Sequence, residues 1–217
     1  MRPAALFDVD RTLVTVNTAR LYVGWRMQQR QASLLDYLRV SRVLVQYAIG
    51  TLEPEHAARH AFETVRGTSE AQLREECLGW YARVVRPYIS GHGRREVERR
   101  RSEGHLLAIL SASTPYLTEP LAEELGIDHV LCTRLEVNDG LFTGGWEAPL
   151  CYGPGKVTRA SDWALTHGID LARSSFYTDS ISDLPMLEAV GSPRVVNPDP
   201  RLRLVAARRR YPVESWK

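Results

Sequence analysis

Four short, mostly apolar runs set the frame of this chain: Ala4 to Phe7, His105 to Leu110, Ser174 to Tyr177 and Arg194 to Val196. None shows the strict apolar–polar alternation of a half-exposed sheet, so each reads as a strand buried on both faces. Segments of helical period lie between them, and that alternation predicts an α/β fold built on a parallel sheet. In such sheets ligands gather at the carboxyl ends of the strands.

One long stretch breaks the alternation. From about Val14 to Tyr88 no convincing strand occurs and three helical patterns follow one another. Tyr37, Val40, Leu44, Tyr47 and Ala48 make one apolar stripe, with Ser33 as candidate N-cap. Pro54 opens a second helix striped by Ala58, Ala61, Phe62 and Val65, which Gly67 is placed to end. Ser69 with Gln72 forms a capping-box pattern ahead of Leu73, Cys77, Trp80, Tyr81 and Val84, and Pro87 stops that run. An all-helical unit is therefore expected over the mouth of the first strand. Further on, Leu135 to Val137, Asn138-Asp139-Gly140 and Leu141 to Thr143 read as a hairpin. The charge run Arg94 to Arg101 is broken by Glu96 and Glu98, with Val97 free to face inward, and reads as a solvated helix face. Arg201 to Arg210 reads as an amphipathic surface helix.

At 217 residues the chain is long enough for one domain with an insertion or for two small ones. Its 28 Lys and Arg against 26 Asp and Glu leave a net charge of +2, which argues against a nucleic-acid footprint. No apolar run reaches the ~18 residues of a membrane span; Leu34 to Ile49 is cut by Asp36, Arg39, Arg42 and Gln46. The opening residues show no signal-peptide cleavage pattern. Cys77, Cys132 and Cys151 lack metal-ligand spacing and are expected as free thiols, which suits a cytoplasmic location.

Asp8 and Asp10 stand two residues apart at the end of the first apolar run, so an extended backbone aims both carboxylates to one side, with Thr12 on the same spacing. Two carboxylates ~4 Å apart repel by about 4 kcal/mol at an effective dielectric of ~20, and a cation or a shared proton is needed to hold them together. The competing reading is a turn in which Asp caps backbone amides. Asp179 and Asp183 repeat the pattern after the third run, although Asp183 is equally placed to cap a following helix. Ser111 and Ser113 end the second run, where a serine is also a common helix cap, and Lys156 opens a helical segment after Gly153-Pro154-Gly155, where a lysine is usually solvated. Four carboxylates against one ammonium would repel a phosphate, and Mg²⁺ is the cation that two strand-end aspartates with waters and phosphate suit.

In order along the chain, Phe7-Asp8-Val9-Asp10-Arg11-Thr12-Leu13, Ser111-Ala112-Ser113, Lys156 and Asp179-Ser180-Ile181-Ser182-Asp183-Leu184-Pro185 resemble the motifs of the haloacid dehalogenase-like phosphatases. The subfamily resembled is the one that includes phosphoserine phosphatase, subfamily IB, whose helical cap follows the first strand. The resemblance implies a three-layer Rossmann-like core over residues 1–13 and 89–217 and a helical C1-type cap over 14–88. It implies a Mg²⁺-dependent phosphomonoester hydrolase working through an aspartyl-phosphate on a small phosphorylated metabolite. By the same token Asp8 is expected as nucleophile and Asp10 as general acid and base, with Lys156 and Ser111 gripping the phosphoryl group. Mg²⁺ would lie among Asp8, Asp10 (through its backbone carbonyl), Asp179 and Asp183, the last orienting the ligand shell. Thr12, Ala112, Arg11, Asn17 and Arg20 join Ser111 and Lys156 as expected substrate-binding positions.

The chain departs from the commonest family pattern at Arg11 and Thr178, where glycine is usual, and at Asn17, where phosphoserine phosphatases place an acidic residue. A strict preference for phosphoserine is therefore not expected. Trp25 lies near Arg20, and Tyr22, Tyr37, Tyr47, Trp80 and Tyr81 enrich the cap in aromatic rings, which either receive a bulkier leaving group or simply pack the helices. The alternative function is a phosphatase for a lysophospholipid or other amphipathic phosphate with its cap at a membrane surface; a receiver-like phospho-acceptor is more remote. The expected partner is a small phosphate ester, not nucleic acid, with membrane contact disfavoured and oligomeric state left open.

Overall fold

A computed structural model describes residues 1–30, 32–49 and 53–216. The chain runs β1 (Ala4–Phe7), α1 (Thr18–Gln28), α2 (Leu34–Ile49), α3 (Pro54–Glu63) and α4 (Glu70–Trp80), then a π-helical turn (Tyr81–Val85) and a 3₁₀ turn (Arg86–Tyr88). It continues through α5 (Gly91–Ser102), β2 (Leu106–Ser111), α6 (Pro115–Leu125), β3 (His129–Cys132), a hairpin of β4 (Leu135–Asn138) and β5 (Leu141–Trp146), and α7 (Pro154–His167). Last come β6 (Ser175–Thr178), α8 (Leu184–Ala189), β7 (Ser192–Val196), α9 (Pro200–Arg209) and β8 (Val213–Glu214).

Six strands form one parallel sheet in the order β3-β2-β1-β6-β7-β8, so the four expected strands are its centre. Along β1, Ala5 and Phe7 face one apolar cluster with Leu107, Ile109, Tyr177 and Val196. Ala4 and Leu6 face the other, with Ala108, Leu110, Phe176 and Val195. Burial on both faces explains why each run is apolar throughout; a side chain the size of Phe7 contributes about 2–3 kcal/mol when fully buried.

The insertion holds four described helices, where the sequence pattern predicts three. α1 is the addition: Leu21, Tyr22 and Trp25 pack on the core while Arg20 and Gln28 share the helix, so its apolar stripe is weak. In α2, the side chains of Leu44, Tyr47 and Ala48 lie outside the described residues. α3 stops at Glu63, ahead of Gly67, because Gly67 (φ 73°) already belongs to a turn whose amide donates to Phe142 O at 2.8 Å. The Ser69 cap holds, with Oγ accepting the Gln72 amide at 3.4 Å. Phe62 meets Trp146 edge-on at 5.9 Å, docking α3 on the hairpin.

Trp80, Tyr81 and Val85 are buried in the same cluster as Phe7 and Ile109, and Tyr22 packs edge-on against Trp80 at 5.1 Å. These aromatics of the insertion thus serve as packing. α5 buries Val97 as expected, yet it also buries Arg100, whose Nε donates to Tyr177 Oη at 2.8 Å, so that face is not wholly solvated. α9 buries Leu202 and Ala206 beneath its arginines. Cys77, Cys132 and Cys151 are free and buried. Among the described residues no helix is long and apolar enough to cross a membrane.

Candidate active site

The parallel register brings the carboxyl ends of three strands side by side. Phe7 lies opposite Ile109 of β2 and Tyr177 of β6, so Asp8, Ser111 and Asp179 all emerge at one edge. The Asp8 amide donates to Tyr177 O at 2.9 Å, extending the ladder by one bond before the chain turns. Leu13 and Val14 donate back to Asp8 O and Val9 O, closing the loop that carries Asp10. Arg11 sits in that loop at φ 53°, in the left-handed region that costs a non-glycine residue about 1–2 kcal/mol and that glycine occupies freely. Its carbonyl accepts from Asn197 Nδ2 at 2.7 Å, and Asn197 Oδ1 accepts the Trp216 amide at 3.0 Å.

Lys156 reaches this edge from the first turn of α7. Its ammonium donates to Asp8 Oδ1 and to Asp183 Oδ2, each at 2.7 Å, and the side chain is 3% exposed. Burial alone would discharge it, but Asp183 and Asp8 outweigh burial and hold the lysine firmly cationic. Asp183 begins α8 without capping it; its carboxylate instead takes the Lys156 ammonium and the Thr178 hydroxyl, the latter at 2.6 Å. Thr178, a departure from the usual glycine, thereby orients Asp183, and its Oγ1 also accepts the Ser180 amide at 3.2 Å.

Asp10 turns its carboxylate toward the start of α1. Thr18 donates to Oδ1 from its amide at 3.0 Å and its hydroxyl at 2.7 Å, and Asn17 Nδ2 donates to Oδ2 at 2.8 Å. Burial pushes its pKa up while Thr18 pulls the other way. Asp179 is buried, and that burial with Asp8, Asp10 and Asp183 holds it well above the usual carboxylate range. The opposing cation is Arg11, 3.8 Å away on a side chain 56% exposed. Asp8 is likewise raised by burial, against the pull of Lys156.

The remaining expected positions fall in different places. Ser111 is buried at the strand end, with Oγ accepting the Ser113 amide at 3.2 Å, and the cap of α6 is Thr114, not either serine. Ala112 follows Ser111 at the same edge. Thr12 is fully buried, and its hydroxyl has no hydrogen-bond partner among the described residues. Arg20 lies on α1 and donates from Nε to Tyr37 Oη at 2.7 Å. Asp199 ties the Asp179 loop to α9: its amide donates to Asp179 O at 2.8 Å and its carboxylate accepts from the amides of Ile181 and Leu202.

No three His, Cys, Asp or Glu side chains converge as a metal cage among the described residues. Asp10 accepts from Asn17 and Thr18, and Asp183 accepts from Lys156 and Thr178. Asp8 and Asp179 are each raised by burial and by neighbouring carboxylates, with Lys156 facing the first and Arg11 the second. Two buried carboxylates are the donor set Mg²⁺ accepts, since it takes one or two carboxylates and keeps its waters.

Residues 5–188 match the family model for haloacid dehalogenase-like hydrolases. A probable phosphatase of Mycobacterium tuberculosis is 31% identical over 218 residues, 99% of this chain and 76% of that protein. A histidinol-phosphatase of Neisseria meningitidis is 27% identical over 225 residues, covering the whole of both. A solved phosphoserine phosphatase bearing a phospho-aspartyl intermediate analogue superposes with a TM-score of 0.75 at 19% identity, over 100% of this chain and 94% of that one, and so shares its fold.

Proposed function

This chain belongs to the haloacid dehalogenase-like hydrolases and is a phosphoric monoester hydrolase, and we propose that it works by passing the phosphoryl group through Asp8 with Mg²⁺ as cofactor. The observation that carries this reading is the placement of Lys156 2.7 Å from Asp8, with Asp10 two residues further on and Asp179 beside them. In the first step an Asp8 carboxylate oxygen attacks phosphorus, the ester P–O bond breaks, and the Asp10 proton moves to the departing oxygen. In the second, Asp10 takes a proton from water, the water oxygen attacks phosphorus, and the P–O bond to Asp8 breaks to release inorganic phosphate.

Lys156 and Ser111 hold the phosphoryl oxygens, and Asp183 with Thr178 keeps the ammonium aimed at them. Positioned charge is most of what this chemistry asks of a protein. The Asp8 and Asp179 carboxylates with the Asp10 carbonyl would hold Mg²⁺, which supplies charge neutralisation for the carboxylates and the phosphoryl oxygens. Residues 14–88 act as the cap that closes over the ester.

The substrate is a small phosphorylated metabolite, with no strict preference for phosphoserine. Two features support this: Asn17 replaces an acidic ammonium ligand, and its amide is committed to Asp10 and the α1 N-terminus. Phosphate release from p-nitrophenyl phosphate with Mg²⁺ and with EDTA tests the chemistry. No release, or an Asp8→Asn variant as fast as the parent, overturns it. A panel of phosphorylated metabolites that includes phosphoserine and histidinol phosphate then ranks the leaving groups, and a clear preference for phosphoserine refutes the substrate assignment.

A further inference from the structure

Asn17 joins the first cap helix to the catalytic loop with one amide group. Its Oδ1 accepts the Arg20 amide at 3.0 Å and so caps α1, while its Nδ2 donates to Asp10 Oδ2 at 2.8 Å. A primary amide carries a donor and an acceptor in one plane, and that is what both bonds require. Thr18 pins the other Asp10 oxygen by two bonds, at 3.0 and 2.7 Å. Held at Oδ1 alone, the carboxyl group could still turn about its Cβ–Cγ bond. The second contact at Oδ2 removes that freedom.

We propose that Asn17 is a positioning residue for leaving-group protonation, fixing the rotation of the Asp10 carboxyl and making that geometry depend on α1 being docked. The inference rests on Asp10 serving as the acid of the reaction above. As the ester P–O bond breaks and the bond from Asp8 to phosphorus forms, the bonding pair stays on the ester oxygen and the Asp10 proton moves to it. Asp10 is left ionised against Asn17 and Thr18. Proper aim of Asp10 therefore matters most when the departing oxygen is basic.

The experiment compares kcat/KM on p-nitrophenyl phosphate, whose phenolate leaves with little help, and on phenyl phosphate, whose more basic phenolate needs the proton. Asn17→Ser keeps a cap acceptor but is too short to hold Asp10 as well. It should lose about tenfold or more on phenyl phosphate and less than about threefold on p-nitrophenyl phosphate, with a melting temperature near that of the parent. In an Asp10→Asn background the same substitution should leave the ratio of the two substrates unchanged. Equal losses on both substrates, a rise in KM alone, or no loss overturns the inference. So does a defect confined to Asn17→Ala, which would mark Asn17 as only a helix cap. Turnover by the parent and its abolition in Asp8→Asn test the proposed function separately, so a failure at Asn17 with those intact strikes this inference alone.

Discussion

Lys156 Nζ lies 2.7 Å from Asp183 Oδ2, and both side chains are almost wholly buried. The pair sets the lysine's direction: a flexible four-carbon stem is fixed by a carboxylate that is itself fixed by the Thr178 hydroxyl. Removing one member of a buried ion pair strands the other charge, at a typical cost of about 3–5 kcal/mol. Asp183→Asn is expected to fall near the lower end, because Asp8 still faces Lys156, and to lower kcat by about 10²-fold through a misaimed ammonium. Urea unfolding in EDTA measures the first effect and steady-state kinetics the second. A variant as stable and as fast as the parent would show that Asp8 alone positions Lys156.

Asp179 makes the opposite prediction. It is buried among Asp8, Asp10 and Asp183 with an exposed arginine 3.8 Å away as its opposing charge, so in the metal-free protein it is a source of repulsion. Asp179→Asn should raise the melting temperature in EDTA. It should also remove the stabilisation by Mg²⁺, which for the parent amounts to about 2.7 kcal/mol at a hundred times Kd. Thermal scans with EDTA and with Mg²⁺ read both. An undiminished Mg²⁺ shift in the variant would mean that the ion is held elsewhere.

The parts of this site that were legible in the sequence are those fixed by position along a strand. Asp8 and Asp179 end apolar runs that must be buried on both faces, and the parallel register does the rest. β3 and β8 are short edge strands, harder to read from pattern: β3 has three half-buried residues out of its four and an apolar run of only Val130 to Cys132, and β8 has only two residues. The partners of Asp10 were not legible either. Asn17 stood as a substrate contact because its offset from Asp8 was readable, whereas the direction from which α1 enters the loop, which turns Asn17 and Thr18 onto Asp10, depends on tertiary packing. The role of Thr178 likewise depends on the fold, which brings its hydroxyl to Asp183.

Stability in EDTA should have two limbs with pH. Burial pushes Glu96 up, but hydrogen bonds from Arg99 and Tyr177, with the charges of Arg99 and Arg100, outweigh it and hold Glu96 below 4.5. Its contribution is present above the unfolded value and is lost as pH falls through the lower folded value. Asp8 and Asp179 are raised above 3.8, so between that value and their folded values the native state binds more protons, and stability falls as pH rises. In the metal-free protein Glu96 therefore lets stability rise with pH on the acid side, while Asp8 and Asp179 make it fall toward neutrality. Glu96→Gln should flatten the acid limb, and saturating Mg²⁺ should flatten the neutral limb. Melting temperatures from pH ~3 to ~8 decide the matter, and stability that keeps rising toward neutrality in EDTA contradicts it.

Three glycines separate fold from site. A Cβ on Gly155 would meet Leu150 O at 1.9 Å, and one on Gly191 would meet Ala172 O at 1.7 Å; neither backbone oxygen can step aside as a flexible side chain would. Each alanine substitution should destabilise by about 1–3 kcal/mol as the turn is forced to shift. Only Gly155 adjoins Lys156, however, so Gly155→Ala should also lower kcat/KM in the fraction that remains folded, while Gly191→Ala should leave kcat per folded molecule near that of the parent. Gly24 lies inside α1 with nothing within 4 Å of a built Cβ, so Gly24→Ala should stabilise by about 0.5–1 kcal/mol without changing turnover. Melting curves paired with active-site-normalised rates distinguish the three. If Gly191→Ala slowed the chemistry as much as Gly155→Ala, the shift at Gly155 would be acting through general loosening of the fold and not through Lys156.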